Sequence, residues 1–110
     1  MMKILLDEMV PRDLRTFILG HDVYSVQYMG WGSFKNGVLL KKADPVFDAF
    51  ITVDQSLQFQ QNFAGYKMCF VILEPKRNII SHLIPMLPEL HRQLALLQIG
   101  SGTAINILPP

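Results

Sequence analysis

Residues 3–8 read Lys-Ile-Leu-Leu-Asp-Glu, and this stretch decides the fold class because a run of large apolar residues ends in two adjacent carboxylates. A short, continuous apolar run is typical of a strand that is covered on both faces of a parallel sheet. A second run has the same form, since residues 50–53 (Phe-Ile-Thr-Val) are followed by Asp54. Open α/β folds keep their sites at the carboxyl edge of the sheet, so we expect both acidic ends to face one site.

Strand and helix signals alternate along the chain, which predicts an α/β fold with a mostly parallel, five-stranded sheet and helices on both faces, in three α/β/α layers. The expected strands are residues 2–6, 22–26, 49–53, 68–73 and 103–108. Right-handed crossovers leave few strand orders, and we favour 2-1-3-4-5. This order places the topological switch point between the first and third strands, so that Asp7 and Asp54 flank one crevice.

Proline, glycine and capping residues delimit the expected helices. The first begins at Pro11 and ends at Gly20. The second takes Asn36 as its N-cap. The third is capped by Asp54 or Ser56 and runs to Gly65. Late in the chain, Pro85 should kink or break a longer helical region and Pro88 can restart it, because proline is tolerated only in the first turn.

Composition limits the classes of protein that fit. The chain has 110 residues, half of them hydrophobic and 17% charged, which predicts one globular domain over residues 1–110. The net charge of +1 provides no strong global field, so binding to nucleic acid would need a local basic patch. The single cysteine, Cys69, lies in an apolar run and is expected to be a small buried residue. We expect a cytoplasmic protein without membrane contact, because no apolar run approaches the roughly 18 residues of a spanning helix.

Three carboxylates are candidates for a catalytic metal site. Mg²⁺ and Mn²⁺ prefer oxygen ligands and need only one or two protein carboxylates beside water and substrate phosphate oxygens. Asp7, Glu8 and Asp54 could supply them, although strand alternation would turn only one of Asp7 and Glu8 towards the metal. A metal held in this way orients a water and stabilises charge during attack on a phosphodiester. The alternative is that the acids cap the helices that follow them, and Asp54 suits that role well.

Other polar residues should reach the same edge of the sheet. Asn36 begins the helix after the second strand, and Lys35 precedes it as part of a basic rim. Arg77 and Asn78 follow the fourth strand. These residues are candidates for substrate binding, with Arg77 on a phosphate, although a solvated arginine is the alternative. The three histidines lack the spacing of zinc ligands, and no glycine-rich phosphate loop is present.

Three motifs together resemble a known family. They are Lys-Ile-Leu-Leu-Asp-Glu-x-x-Pro at residues 3–11, Gly-His-Asp-Val at 20–23, and Phe-Ile-Thr-Val-Asp-Gln-Ser-Leu at 50–57 followed by Gln-Gln-Asn at 60–62. In this order the chain resembles the small PIN-like proteins of bacteria and archaea, most of which are catalogued as a domain of unknown function. These proteins are related to the PIN nucleases and to carboxy-terminal Mut7 domains. The resemblance covers nearly the whole chain.

The resemblance implies a compact PIN-like α/β fold with an acidic site for Mg²⁺ or Mn²⁺. In PIN nucleases this site cuts RNA, and many members are toxins that an antitoxin protein neutralises. Carried over by motif, Asp7 matches the acid after the first strand, Asp54 matches the acid after the threonine-containing strand, and Glu8 belongs to the Asp-Glu pair of the subgroup. Two positions depart from the pattern. Asn36 stands where relatives often have aspartate, which makes it an amide metal ligand, and Gln55 stands where a basic residue is frequent.

Two hypotheses of function follow. The first is a metal-dependent ribonuclease that acts as the toxin of a toxin–antitoxin pair. In this hypothesis Asp7 and Asp54 hold the metal, and Glu8 and Asn36 assist. The second is a catalytically weak or inactive PIN-like module that binds a protein partner, which the missing acid at position 36 and the near-neutral charge favour. Homodimerisation through the apolar late helices is compatible with either hypothesis.

Overall fold

The computed structural model describes residues 1–110, and its five strands form one parallel sheet. The strands are β1 (Lys3–Leu6), β2 (Asp22–Ser25), β3 (Ala49–Thr52), β4 (Cys69–Leu73) and β5 (Ala104–Ile107). Their order is β2-β1-β3-β4-β5, and every neighbouring pair is parallel. The predicted α/β class and strand order are confirmed, and the sheet is wholly rather than mostly parallel.

The helices cover less of the chain than the sequence pattern predicts. They are α1 (Asn36–Ala43), α2 (Leu57–Gln60), α3 (Ile80–Leu83) and α4 (Leu87–Leu96), with 3-10 helices at Arg12–Phe17 and Ile84–Met86. The predicted interruption at Pro85 is confirmed, because this residue lies in the 3-10 turn between α3 and α4. Pro88 lies in the first turn of α4, as expected. No helix combines the length and the apolar character needed to cross a membrane.

Two predicted helices differ from the structure. The segment after Pro11 is a 3-10 helix in which only Leu14 is buried, so no apolar face extends it into an α-helix. The helix α2 ends at Gln60 instead of Gly65. The Asn62 side chain accepts a hydrogen bond from the backbone N–H of Ala64 at 3.0 Å, and such local turns compete with helical hydrogen bonding.

Side chains alternate across the sheet and form two separate cores. Leu6 and Ile51 belong to the core shared with the first 3-10 helix, α3 and α4. Leu5 and Phe50 belong to the core shared with α1 and α2. The sheet is therefore the middle layer of three, and its apolar runs are explained by burial on both faces.

An aromatic cluster anchors the α1–α2 face of the sheet. Phe70 lies on β4 and is fully buried. The Phe63 ring stacks on it with centroids 3.9 Å apart, and Tyr66 packs edge-on at 5.5 Å. Phe50 on the neighbouring strand adds a further edge-on contact at 6.4 Å. This cluster holds the segment that follows α2 against the sheet.

We expect Phe70→Ala to lower the free energy of unfolding by about 3–5 kcal/mol, because truncation of a buried aromatic ring leaves a cavity. Urea denaturation followed by circular dichroism would measure the loss. Phe59→Ala is the matched control, since Phe59 is 83% exposed and its truncation should change the unfolding free energy by less than about 0.5 kcal/mol. Equal losses in the two variants would contradict this description of the core.

A candidate acidic site at the carboxyl edge of the sheet

Asp7 and Asp54 follow adjacent strands at the switch point of the sheet. The chain pairs β1 with β2 on one side and with β3 on the other, so a crevice opens where the two crossovers diverge. Leu6 pairs with Ile51 in the strand register, and the Asp7 backbone N–H donates to the Ile51 carbonyl at 2.9 Å. This hydrogen bond carries the β1–β3 pairing one residue beyond Leu6 and brings Asp7 beside the end of β3.

The Thr52 hydroxyl joins the two strand ends. It donates to Asp7 Oδ2 at 2.7 Å and accepts from the Asp54 backbone N–H at 3.0 Å. Thr52 is the only buried polar residue of the chain, with no exposed surface. A buried hydroxyl must be hydrogen-bonded, so this one is held in a single orientation between the two acidic residues.

The Asp7 carboxylate is held tightly and lacks a cationic partner. Its Oδ1 accepts from the Glu8 backbone N–H at 2.8 Å, and its Oδ2 accepts from the Thr52 hydroxyl. Burial raises the pKa of Asp7, and the nearby carboxylates of Asp54 and Glu8 add to this increase, while the two hydrogen bonds oppose it. The only salt bridge of the chain joins Arg92 to Glu89, away from this edge. A bound cation would therefore relieve an uncompensated negative charge.

Asp54 serves partly as a turn residue, which supports the capping alternative. Its Oδ1 accepts from the Ser56 backbone N–H at 3.0 Å and from the Ser56 hydroxyl at 2.6 Å. This arrangement is an Asx turn just before α2. The second oxygen, Oδ2, makes no hydrogen bond within the protein, so the same side chain keeps a free acceptor for a metal or a water.

Glu8 lies beyond the end of β1 and is exposed. Its carboxylate covers Gly32, because a Cβ built on that glycine would lie 3.7 Å from Oε1. Glu8 is close enough to Asp7 to raise the pKa of its carboxyl. The three predicted acids therefore occupy one edge of the sheet, but no group of three or more acidic, histidine or cysteine side chains converges as metal ligands do.

Asn36 and Lys35 lie at the start of α1, but the prediction that Asn36 caps this helix was wrong. Lys35 is the N-cap, because its backbone is extended (φ −69°, ψ 157°) while Asn36 already belongs to the helix. Asn36 is half-buried and Lys35 is exposed. Neither side chain is hydrogen-bonded to the acids, so both remain candidates by location alone.

Arg77 and Asn78 differ in what their side chains do. Arg77 is exposed and its guanidinium has no partner within the protein. Asn78 Nδ2 donates to the Met9 carbonyl at 2.8 Å and so ties the segment after β4 to the segment after β1. Asn78 therefore has a structural contact, while Arg77 remains free to contact a ligand.

Two residues at this edge escaped the sequence reasoning. Thr52 was visible as the one polar residue in the run Phe-Ile-Thr-Val, and its burial could have been inferred from its neighbours. Gln27 Nε2 donates to the Glu8 carbonyl at 3.3 Å and packs the loop after β2 against the acidic centre, which is formed by Asp7, Glu8 and Asp54. Nothing in the sequence predicts this contact, because Gln27 and Glu8 come together only through the pairing of β1 with β2.

Comparison with protein-family models, with curated proteins and with solved structures gave no match for this chain. The resemblance to PIN-like proteins therefore stays a prediction, carried by the motifs at residues 3–11, 20–23 and 50–57.

We expect Asp7→Asn to raise the free energy of unfolding at neutral pH in the absence of metal. The pKa of Asp7 in the folded state lies above its ordinary value of 3.8, so the folded state holds the proton more tightly than the unfolded state. Ionisation of Asp7 therefore lowers the free energy of unfolding as the pH rises above 3.8. The Asp7→Asn variant cannot ionise at this position, so it does not lose this free energy. The advantage of the variant should shrink as the pH falls below 3.8, where the carboxyl is protonated in both states.

Urea denaturation in EDTA over a series of pH values would measure this difference. Asp13→Asn is the matched control, because Asp13 is exposed on the first 3-10 helix and lies outside the acidic centre. An Asp7→Asn variant that is less stable than the parent at every pH would contradict the prediction, since hydrogen bonding would then outweigh the cost of the buried charge.

Proposed function

We propose that the chain is a metal-dependent ribonuclease of the PIN-like class that uses Mg²⁺ or Mn²⁺, and that it acts as the toxin of a toxin–antitoxin pair. The observation that carries the proposal is the half-buried Asp7 carboxylate at the switch point, held by Thr52 beside Asp54 without a cationic partner. Carboxyl groups with pKa values raised by burial and by like charges are enriched at functional sites. The motif resemblance supports the assignment to RNA and implies an antitoxin-like partner.

The donor set fits a hard divalent cation. Asp7 and Asp54 would hold the metal, because each offers carboxylate oxygens at the same sheet edge and Asp54 Oδ2 is unpaired. Mg²⁺ keeps several waters and needs few protein ligands, so two carboxylates suffice. Glu8 and Asn36 would assist through water, since neither side chain is hydrogen-bonded to Asp7 or Asp54.

The metal, when bound, supplies a water of lowered pKa and stabilises charge on the phosphodiester. The chain's own residues prepare the site. Thr52 orients the Asp7 carboxylate, and the Glu8 backbone N–H fixes its other oxygen. The exposed Glu8 carboxylate can hydrogen-bond the attacking water and accept its proton. Lys35 and Arg77 are exposed and could contact substrate phosphates, whereas Asn78 would act only if it released Met9.

A protein-binding module is the second candidate function. Three large apolar side chains stand exposed around the outer strand β5: Leu96 (64%), Ile99 (60%) and Leu108 (64%). Exposed apolar side chains mark a surface that contacts another protein when they form one contiguous patch. An antitoxin-like protein or a second copy of the chain would suit it, and neither occupant is incompatible with the acidic site.

We expect Asp7→Asn to abolish Mn²⁺-dependent cleavage of a single-stranded RNA while the variant remains folded, because the amide removes the central charge of the metal site. Thr52→Val should lower cleavage by about 10- to 100-fold, as is usual when a residue that orients a metal ligand is lost. Gel analysis of a labelled RNA with and without EDTA would measure both effects.

Glu89→Gln on α4 is the control for the loss of one negative charge, because Glu89 pairs with Arg92 away from the acidic residues, and this variant should cleave as the parent does. Equal cleavage by the parent and by Asp7→Asn would remove the nuclease proposal, because activity would then come from a contaminant or from another part of the surface.

We also expect the affinity for Mn²⁺ to rise with pH across the acidic range. The proton and the metal compete for the Asp7 carboxylate, and burial raises its pKa, so metal binding should release protons at acidic pH, where part of this carboxyl is protonated in the free protein. Calorimetric titration in two buffers of different ionisation enthalpy would count the released protons. Absence of binding heat at millimolar Mn²⁺ would argue against the metal site and favour the protein-binding module.

A further inference from the structure

A groove of about 430 Å³ lies beside the acidic centre, next to the edge strand β2. Its lining residues come from the first 3-10 helix and from the end of β2 and the loop after it: Arg12, Arg15, Ser25, Gln27 and Tyr28. Leu6 pairs with Ser25 in the strand register, so the groove opens at the same sheet edge as Asp7. Its lining includes none of the predicted substrate-binding residues Lys35, Arg77 and Asn78.

Two arginines give the groove a positive charge. Both are exposed, and neither forms a salt bridge with a carboxylate. Arg15 Nε donates to the Val23 carbonyl at 2.8 Å, which fixes the plane of its guanidinium while the terminal N–H groups remain unpaired. A guanidinium held in this way matches the geometry of a phosphate. The groove is thus the local basic patch that a chain of net charge +1 needs to bind a polyanion.

Tyr28 adds a flat aromatic surface to the same groove. Tyr28 is 76% exposed, so much of its side chain is accessible to a ligand. Its position is nevertheless fixed, because its backbone N–H donates to Ser25 Oγ at 3.1 Å and its ring packs against Tyr24 at 5.8 Å. The rest of the ring is available for stacking.

The groove is joined to the acidic centre by a direct contact. Gln27 lines the groove, and its Nε2 donates to the Glu8 carbonyl, one residue after Asp7. The other amide atom of Gln27, Oε1, is buried without a hydrogen-bond partner. The groove is therefore in contact, through Gln27, with the chain segment that carries Asp7 and Glu8.

We propose that this groove binds the backbone of a single-stranded polynucleotide and leads it to the acidic site. Arg12 and Arg15 contact successive phosphates, and Tyr28 stacks on a base. Positive charge beside a stacking ring is the combination by which proteins hold single strands. The inference rests on the proposed nuclease function for its substrate class, but it concerns binding and does not require cleavage.

The test is fluorescence anisotropy with labelled oligouridylate of about ten nucleotides, a length within the range of single-strand binding sites, in excess EDTA so that no metal-dependent cleavage occurs. Arg12→Gln should weaken binding and lower the slope of log K against log salt concentration by about 0.7, the value for one phosphate contact on a single strand. Tyr28→Ala should weaken binding about fivefold or more, whereas Tyr28→Phe, which keeps the ring, should bind as the parent does.

Lys67→Gln is the matched control, because it removes one exposed positive charge at the opposite, amino edge of the sheet and should leave the affinity unchanged. Replacing oligouridylate by oligothymidylate tests whether the groove prefers RNA to DNA. Equal affinity would mean that the groove binds either backbone, whereas tighter binding of RNA would mean that the ribose hydroxyl contributes. Both results support the proposal, provided that the Arg12 and Tyr28 variants lose affinity.

Three outcomes would overturn the proposal: no binding by the parent protein, equal affinity of Arg12→Gln and Lys67→Gln, or displacement of RNA by polyglutamate with no effect of Tyr28→Ala. The last would identify the groove as a site for an acidic protein segment. If the protein binds RNA through Arg12 and Tyr28 but never cleaves it, the nuclease proposal fails and the groove proposal stands. Failure of one proposal is therefore distinguishable from failure of the other.

Discussion

The candidate site depends on one buried hydroxyl group. Thr52 Oγ1 donates to the Asp7 carboxylate and accepts from the Asp54 backbone N–H, so it ties the end of β1 to the end of β3. Since the hydroxyl is fully buried, no water can replace either partner without an energetic cost. The buried Thr52 hydroxyl must be hydrogen-bonded, and this requirement fixes the positions of Asp7 and Asp54 together with the path of the loops.

This arrangement carries a cost in stability. The protein keeps a carboxylate with a raised pKa in a half-buried place, near two further acids and without a basic partner. A core built only for stability would replace or pair such a group. The cost is understandable if a cation completes the site, because the charge that destabilises the free protein then contributes to binding.

The carboxyl edge also separates charges of opposite sign. Acids gather where β1 and β3 end, and the arginines of the groove lie on the β2 side, with Gln27 joining the two regions. A negatively charged substrate would be attracted to the arginines, while a metal would neutralise the acids. The near-zero net charge of the chain conceals this local separation, so charge counting alone says little about its ligands.

The sequence by itself determined the α/β class, the strand order and the shared edge of Asp7 and Asp54, because apolar runs, proline positions and right-handed crossovers are local or general constraints. Only the tertiary structure decided that Thr52 joins these acids, that Asn78 contacts Met9 and that Arg12 lies beside Tyr28. Such contacts link distant segments through strand register and loop conformation. No local pattern of residues encodes them. The early end of α2 has a different, local cause, which is the turn at Asn62.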